Sequence, residues 1–296
     1  MTMGIKNHFV PRLDDAVFLE FDYAQLEIRV LAMATLCPQL IADINSGMDM
    51  HREFASQIFN KPAQDITADE RKLAKGFSFQ LQYGAGAPSI AKFWGVDVDL
   101  VQQFIDAYYK RYPEVKVWQD NNINTVRNYN IFFQAGNVAT TSTNKQIPLH
   151  GSRVPSIWPE RWGEFYISQT LYDENRSPVF PGTKIKNYPI QGGAADIILL
   201  KLNEIRSELL VDQDVIDRLL FINTVHDSFL FEMITGKAGD PTNTEIAIKI
   251  KTLLEDVEGT LQGFFPNLNV PVAFPVDVKW GKTWGDMKDL DPYDYI

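Results

Sequence analysis

The stretch FINTVHDSFLFEMI, Phe221 to Ile234, places a His-Asp-Ser group between two apolar runs. Phe221 to Val225 and Phe229 to Met233 read as two strands joined by a turn, with Asp227 at the tip of the hairpin. An ionisable pair at such a spot has two readings. One is a plain turn. The other is half of a metal site, whose second half must be a distant carboxylate.

A candidate for that second half lies near the start. AVFLEF, Ala16 to Phe21, is short, apolar and bulky, so it reads as a buried strand, and it ends at Asp22. If the two strands are neighbours in one sheet, both carboxylates emerge at the same edge. Close carboxylates repel and raise each other's pKa unless a cation sits between them. Mg²⁺ suits such a pair, because it takes oxygen ligands and leaves positions for water and substrate phosphates. Two such ions can stabilise both the attacking and the leaving oxygen of a phosphoryl transfer. Taken alone, Asp22 is better read as a turn residue or the N-cap of the helix after it.

Helical patterns fill the space between these strands. YAQLEIRVLAMAT carries apolar residues at Leu26, Val30 and Met33, and a second helix covers MDMHREFASQIF. T-A-D-E from Thr67 is a capping-box pattern opening a third helix, which runs to about Tyr83, where GAGAP stops it. Further helices are expected over Asp99 to Tyr109, Val115 to Asn128, Ala194 to Leu210 and Glu245 to Gly259. The region from Phe132 to Thr183, rich in Thr, Asn, Trp and Pro, reads as hairpins and loops, and the tail VAFPVDVKWGKTWGDM as one strand and an acidic end. Strands at both ends with helices between them predict a mixed sheet built from distant segments, with a helical excursion inserted.

The helix after Thr67 carries a stripe. Arg71, Lys75, Phe79 and Tyr83 recur every four residues, spanning about 18 Å along one helix face. The cations lie in the half nearer the helix N-terminus, which itself favours anions, and the aromatics lie in the other half. A nucleoside triphosphate has the same polarity, anionic at one end and flat at the other. The competing reading is a solvated basic face beside an aromatic core face.

Composition bounds the rest. Of 296 residues, 45% are hydrophobic and 22% charged, an ordinary globular balance. The formal net charge of −10, from 28 basic and 38 acidic side chains, argues against bulk attraction to nucleic acid but leaves room for a local basic stripe. Cys37 is the only cysteine, so an internal disulfide is excluded. MTMGIKNHFVPRLDD has no leader pattern, and no segment has the apolar length of a membrane span, so a cytoplasmic protein is expected.

Together these residues resemble the family A DNA polymerases, the bacterial polymerase I type and its phage relatives. DYAQLEIR, Asp22 to Arg29, is similar to motif A, usually DYSQIELR. RKLAKGFSFQLQYG, Arg71 to Gly84, resembles motif B of the fingers, and VHD, Val225 to Asp227, resembles motif C, usually VHDE. DMHR from Asp49, YKRYP from Tyr109 and NYPIQGGAADII from Asn187 are similar to further family segments, in family order.

The resemblance implies an α+β fold: an antiparallel palm sheet with helical fingers, in the right-hand polymerase architecture, lacking thumb and exonuclease domain. It implies palm over residues 1–35 and 187–296 and fingers over 36–186, with an unassigned insert near 140–183. Asp22 and Asp227 would be the metal-binding carboxylates, holding two Mg²⁺ ions or Mn²⁺ in their place. His51, Arg71 and Lys75 would contact the incoming dNTP, Lys75 also donating a proton to pyrophosphate, with Gln25 nearby. Phe79 and Tyr83 would stack near sugar, base and templating pair, and Glu27 would be the steric gate against a ribose 2′-hydroxyl. Asn187, Gln191 and His226 would touch primer-template DNA. A separate thumb and exonuclease polypeptide is an expected partner. Ser228 stands where motif C usually has Glu, Ser78 where the fingers helix usually has Asn, and Gln80 where it usually has Gly. A non-catalytic DNA-binding or assembly module, and a metal-dependent nuclease or phosphatase, are the competing functions; the latter leaves the stripe without a use.

Overall fold

The computed structural model describes residues 4–134, 139–140, 146–147, 152–155, 157–158, 164–167, 171–172, 178–179, 182–235 and 241–290. The chain divides into two compact units, residues 1–29 with 194–296, and residues 30–193.

In chain order, strand β1 (Ala16–Tyr23) is followed by helices α1 (Leu26–Thr35), α2 (Pro38–Asn45), α3 (Met50–Phe59), α4 (Ala68–Gln82), α5 (Ala87–Trp94), α6 (Val98–Arg111) and α7 (Pro113–Gln134). Three short antiparallel pairs come next: β2 (Ala139–Thr140) with β3 (Gln146–Ile147), β4 (Ser152–Pro155) with β5 (Glu164–Ile167), and β6 (Leu171–Tyr172) with β7 (Pro178–Val179). These three pairs lie in the region expected as hairpins and loops, while its ends, residues 132–134 and 182–183, belong to the flanking helices; the rest of the expected insert lies outside the described residues. The chain continues with α8 (Gly182–Glu204), α9 (Gln213–Ile216), β8 (Leu219–Val225), β9 (Ser228–Ile234), α10 (Pro241–Glu255), α11 (Val257–Phe264), β10 (Val276–Gly281) and β11 (Lys288–Asp289).

Several boundaries differ from the sequence expectation for physical reasons. Helix α8 begins well before Ala194 and runs through Pro189. An interior proline loses a backbone hydrogen bond and ordinarily ends a helix, so periodicity alone starts the helix after it. The helix expected over 245–259 is two helices, divided at Asp256, whose side chain accepts from Gly259 N as the N-cap of α11. The short helices α2 and α5, each with Pro in its first turn, were not anticipated.

The first unit holds a five-stranded sheet in the order β11-β10-β1-β9-β8, antiparallel throughout. Alternation along the strands gives it two unlike faces. Leu19, Phe21 and Tyr23 of β1, Phe229, Phe231 and Met233 of β9, and Val276 and Val278 of β10 share one face and are buried. Phe21 and Phe231 meet edge to face at 5.7 Å, and the Tyr23 hydroxyl donates to the Leu254 carbonyl of α10 at 2.6 Å. Each aromatic of this kind contributes about 1.5–3 kcal/mol by leaving water. The other face carries Glu20 and Asp22 beside Ser228 and Leu230 on one side and Asp277 and Lys279 on the other. Apolar alternation thus fixes the register, and the register puts the charged residues on one surface.

The second unit is built on an aromatic cluster. Phe54 of α3 packs against Phe104 at 5.4 Å and Tyr108 at 5.5 Å, and Phe77 of α4 against Phe104 at 5.5 Å. Beside it, buried Asp43 accepts from Arg111 Nε at 2.6 Å, Arg111 NH2 at 2.8 Å, Tyr112 Oη at 2.7 Å and Gln39 Nε2 at 2.8 Å. The YKRYP segment is therefore scaffold: its Arg and second Tyr satisfy a buried carboxylate that would otherwise be costly.

Candidate active site

In the first unit the carboxylate pair assembles as the hairpin reading requires. Asp22, next to last in β1, lies opposite Ser228, the first residue of β9, and Tyr23 N donates to the Asp227 carbonyl at 3.2 Å. Asp22 and Asp227 therefore stand side by side at the ends of adjacent strands. Burial, then the negative charges of Asp227 and Glu20, push the Asp22 pKa up to about 6; Lys279 opposes this and Asp277 adds to it. The donor set is two carboxylates, hard oxygen ligands of the type Mg²⁺ prefers, in a place short of positive charge. Among the described residues no group of three or more His, Cys, Asp or Glu is placed to hold a metal ion, so water and substrate oxygens would complete the coordination.

Two strained residues flank the pair. The hairpin loop is the two residues His226 and Asp227, closed by the facing pair Val225 and Ser228. His226 has φ 57, a left-handed conformation that suits the right-handed twist of a two-residue hairpin but is normally left to Gly or Asn. Gln25, three residues after Asp22, has φ 59. Each costs about 1–2 kcal/mol and persists only where its surroundings over-determine it. Around Gln25 they do: Ala24 N donates to the Pro275 carbonyl at 2.9 Å, while Arg29 donates from Nε to the Ala24 carbonyl at 2.7 Å and from NH1 to the Ala273 carbonyl at 2.6 Å. Arg29 of the DYAQLEIR segment is thus a clamp on the turn. Ser228 has a local task as well; its hydroxyl donates to the Val225 carbonyl at 3.0 Å and is buried, closing the hairpin. Glu27 is half-buried in the first turn of α1.

In the second unit the stripe is the outer face of α4. Ala74, Phe77, Ser78 and Leu81 are buried. Arg71 is half-buried, while Lys75, Phe79 and Tyr83 are exposed, Phe79 at 40% and Tyr83 at 36%. The aromatics are therefore not core residues of that helix, which goes against the aromatic-core half of the competing reading. The helix opens with the expected capping box: Thr67 Oγ1 accepts from Glu70 N, and the Glu70 carboxylate accepts from Thr67 N at 2.9 Å. It closes with Gly84 N donating to the Leu81 carbonyl at 2.8 Å and Ala85 N to the Gln80 carbonyl at 2.9 Å, Gly84 standing at φ 78 as this C-terminal motif demands. Ser78 turns its hydroxyl inward to the Ala74 carbonyl at 2.9 Å.

His51 joins this stripe. Its ring lies 6.4 Å from that of Phe79, and Lys75 Nζ lies 5.6 Å from the centre of the Phe79 ring. The His51 side chain is buried with Nδ1 lacking a hydrogen-bond partner. Burial, then the charge of Arg71, with Lys75 adding to it and Asp49 opposing, pushes its pKa down to about 4, so the ring is neutral at pH 7. Sequence reasoning missed Asp49, which accepts from Arg71 Nε at 2.6 Å. Asn187 and Gln191 stand one turn apart on α8, half-buried and exposed respectively.

The sequence profile of DNA polymerase family A matches residues 1–286. DNA polymerase I of Geobacillus stearothermophilus is 30% identical over 284 residues, 96% of this chain and 28% of the relative. DNA polymerase I of Lactococcus lactis subsp. lactis is 27% identical over 285 residues, again 96% of this chain and 28% of the relative. The chain thus spans under a third of the length of the curated relatives it matches. Among solved structures, the POL domain of Pol1 from M. smegmatis, in complex with DNA primer-template and dNTP, superposes with a TM-score of 0.62 at 23% identity, covering 95% of this chain and 42% of that one. That likeness supports the antiparallel palm-type sheet with helices, and the profile match carries the assignment itself: this chain belongs to DNA polymerase family A.

Proposed function

We propose that the chain is the palm-and-fingers part of a template-directed DNA polymerase, with palm over residues 1–35 and 187–296 and fingers over 36–186. The observation that carries this reading is the pairing of Asp22 with Asp227 at adjacent strand ends, where burial, then the Asp227 charge, pushes the Asp22 carboxyl up to about 6. Asp22 and Asp227 would hold the Mg²⁺ ions. When bound, these ions supply the charge that stabilises the attacking and leaving oxygens.

The remaining chemistry is positioning. Arg71 and Lys75 grip the triphosphate, with neutral His51 and Gln25 beside it. Phe79 and Tyr83 offer exposed rings to the sugar and base. Glu27 fills the space of a 2′-hydroxyl, and Asn187, Gln191 and His226 contact primer and template. The primer 3′-oxygen forms a bond to the α-phosphorus and gives its proton to water. The bond from that phosphorus to its bridging oxygen breaks, and pyrophosphate leaves with a proton donated by Lys75.

Primer extension run beside plain phosphodiester hydrolysis, in Mg²⁺, tests the reading. Wild-type protein should lengthen a primer in a template-dependent way. Asp227→Ala should lose nucleotide addition by several orders of magnitude with no fall in melting temperature. Hydrolysis without extension, or extension retained in the variant, would overturn it.

A further inference from the structure

We propose that Asp49 is a positioning residue for Arg71: it holds the Nε edge of the guanidinium so that the two terminal nitrogens form the fork offered to an anion. The inference rests on Arg71 being a triphosphate ligand, as proposed above.

Asp49 divides its two oxygens between two tasks. Oδ1 accepts from Arg52 N at 3.1 Å, capping α3. Oδ2 accepts from Arg71 Nε at 2.6 Å, joining the start of α3 to the first turns of α4. The cap is itself anchored, because Arg52 NH1 donates to the Ala63 carbonyl at 3.2 Å and the Ile66 carbonyl at 2.9 Å. Burial raises the Asp49 pKa, but hydrogen bonds from Arg71 and Arg52 N and the Arg71 charge outweigh it, so the carboxylate stays ionised at neutral pH.

A guanidinium has five N–H donors. Asp49 takes the one on Nε, and among the described residues neither terminal nitrogen of Arg71 hydrogen-bonds to the protein. An arginine can grip phosphate along its Nε edge or across its end. Asp49 occupies the edge, so the end remains. Arg71 and Asp49 side chains are 38% and 35% exposed, so a ligand can reach that end. His51, two residues after Asp49, is buried with an unpartnered Nδ1 and feels the charges of Arg71 and Lys75.

The sign of one substitution separates this role from plain electrostatics. A carboxylate beside a triphosphate site repels the ligand, so charge alone predicts that Asp49→Asn tightens nucleotide binding. Positioning predicts that it loosens. Asn caps helices as well as Asp does, so α3 survives. Its single carbonyl oxygen cannot serve both Arg52 N and Arg71 Nε. Asp49→Ser is the second variant: Ser also caps, but is too short to reach Arg71.

Steady-state primer extension with the full chain, in Mg²⁺, decides. Both variants should raise KM for dNTP roughly tenfold, the scale of one charge-assisted hydrogen bond, with kcat changed less and the melting temperature held. In an Arg71→Ala background, Asp49→Asn should add no further rise, since the residue it positions is gone. A KM that falls or stays level in Asp49→Asn, or rises equally in the Arg71→Ala background, overturns the positioning role while leaving the polymerase reading intact. A wild-type chain that extends no primer overturns that reading, and this inference with it.

Discussion

Above about pH 6, Asp22 is ionised against its own burial and against Asp227, Glu20 and Asp277, with Lys279 opposing them. The consequence for stability has a definite sign. An unfolded Asp22 gives up its proton near 3.8, the folded one near 6, so the unfolded state binds fewer protons between those values. Stability should therefore fall as pH rises through that window and stay low above it. The whole shift is worth roughly 3 kcal/mol, and because Asp22 is partly exposed, solvent screening reduces that to about 1–2 kcal/mol. Asp22→Asn should accordingly melt a few degrees higher than wild type at pH 7.5 and no higher at pH 3.5, while losing nucleotide addition. Mg²⁺ should raise the wild-type melting temperature at pH 7.5 and leave Asp22→Asn unmoved. Equal melting of the two proteins at pH 7.5 without Mg²⁺ would remove the repulsion, and an equal response of the two to Mg²⁺ would remove the metal role. Glu27 is tested by the sugar. Glu27→Ala should lower discrimination against ribonucleotides by at least about tenfold, the scale set by one filled or emptied contact in a pocket; unchanged sugar selectivity would remove the gate assignment.

Helix α4 depends on a missing side chain. A Cβ built at Gly76 would lie 2.0, 2.6 and 2.8 Å from atoms of the Trp94 ring of α5. Close packing of α5 on α4 therefore requires glycine there. Replacing Gly by Ala in a helix gains about 1 kcal/mol, but overpacking of this severity costs about 1–3 kcal/mol. Gly76→Ala should thus lower the melting temperature, and adding Trp94→Phe should recover part of the loss. A melting temperature that rises would mean that the ring shifts aside freely. The sequence showed the elements that carry their own local signals. The capping box at Thr67, the stripe from Arg71 to Tyr83 and the strands around Asp22 and Asp227 were legible, because cap chemistry and periodicity act over a few residues. Asp49 and Asp43 were not. Their arginine partners lie 22 and 68 residues away, and nothing local to an aspartate distinguishes one destined for such a contact. Helix α5 was hidden by its brevity between Gly86 and Gly95, and the early start of α8 by Pro189.

Across the whole chain, 38 acidic residues outweigh 28 basic ones, giving a net charge of −10. Affinity for a duplex comes mostly from cations that neutralise phosphates, and its logarithm falls with log salt by about 0.9 for each phosphate neutralised in B-DNA. A chain of net negative charge sets an unfavourable background field for the duplex backbone. The isolated chain should therefore hold primer-template weakly, add few nucleotides per encounter and show a shallow salt slope. A thumb-bearing polypeptide added in trans, with or without an exonuclease, is the partner proposed to bring further phosphate contacts. Adding it should raise primer affinity, lengthen the products made per binding event and steepen the salt slope. Those changes arise from new phosphate contacts and should leave KM for dNTP nearly as it was. Long products from the isolated chain at 200 mM salt, a concentration at which a protein making ~6–10 phosphate contacts has already lost much of its affinity, would show that the chain grips the duplex unaided and would end the case for such a partner.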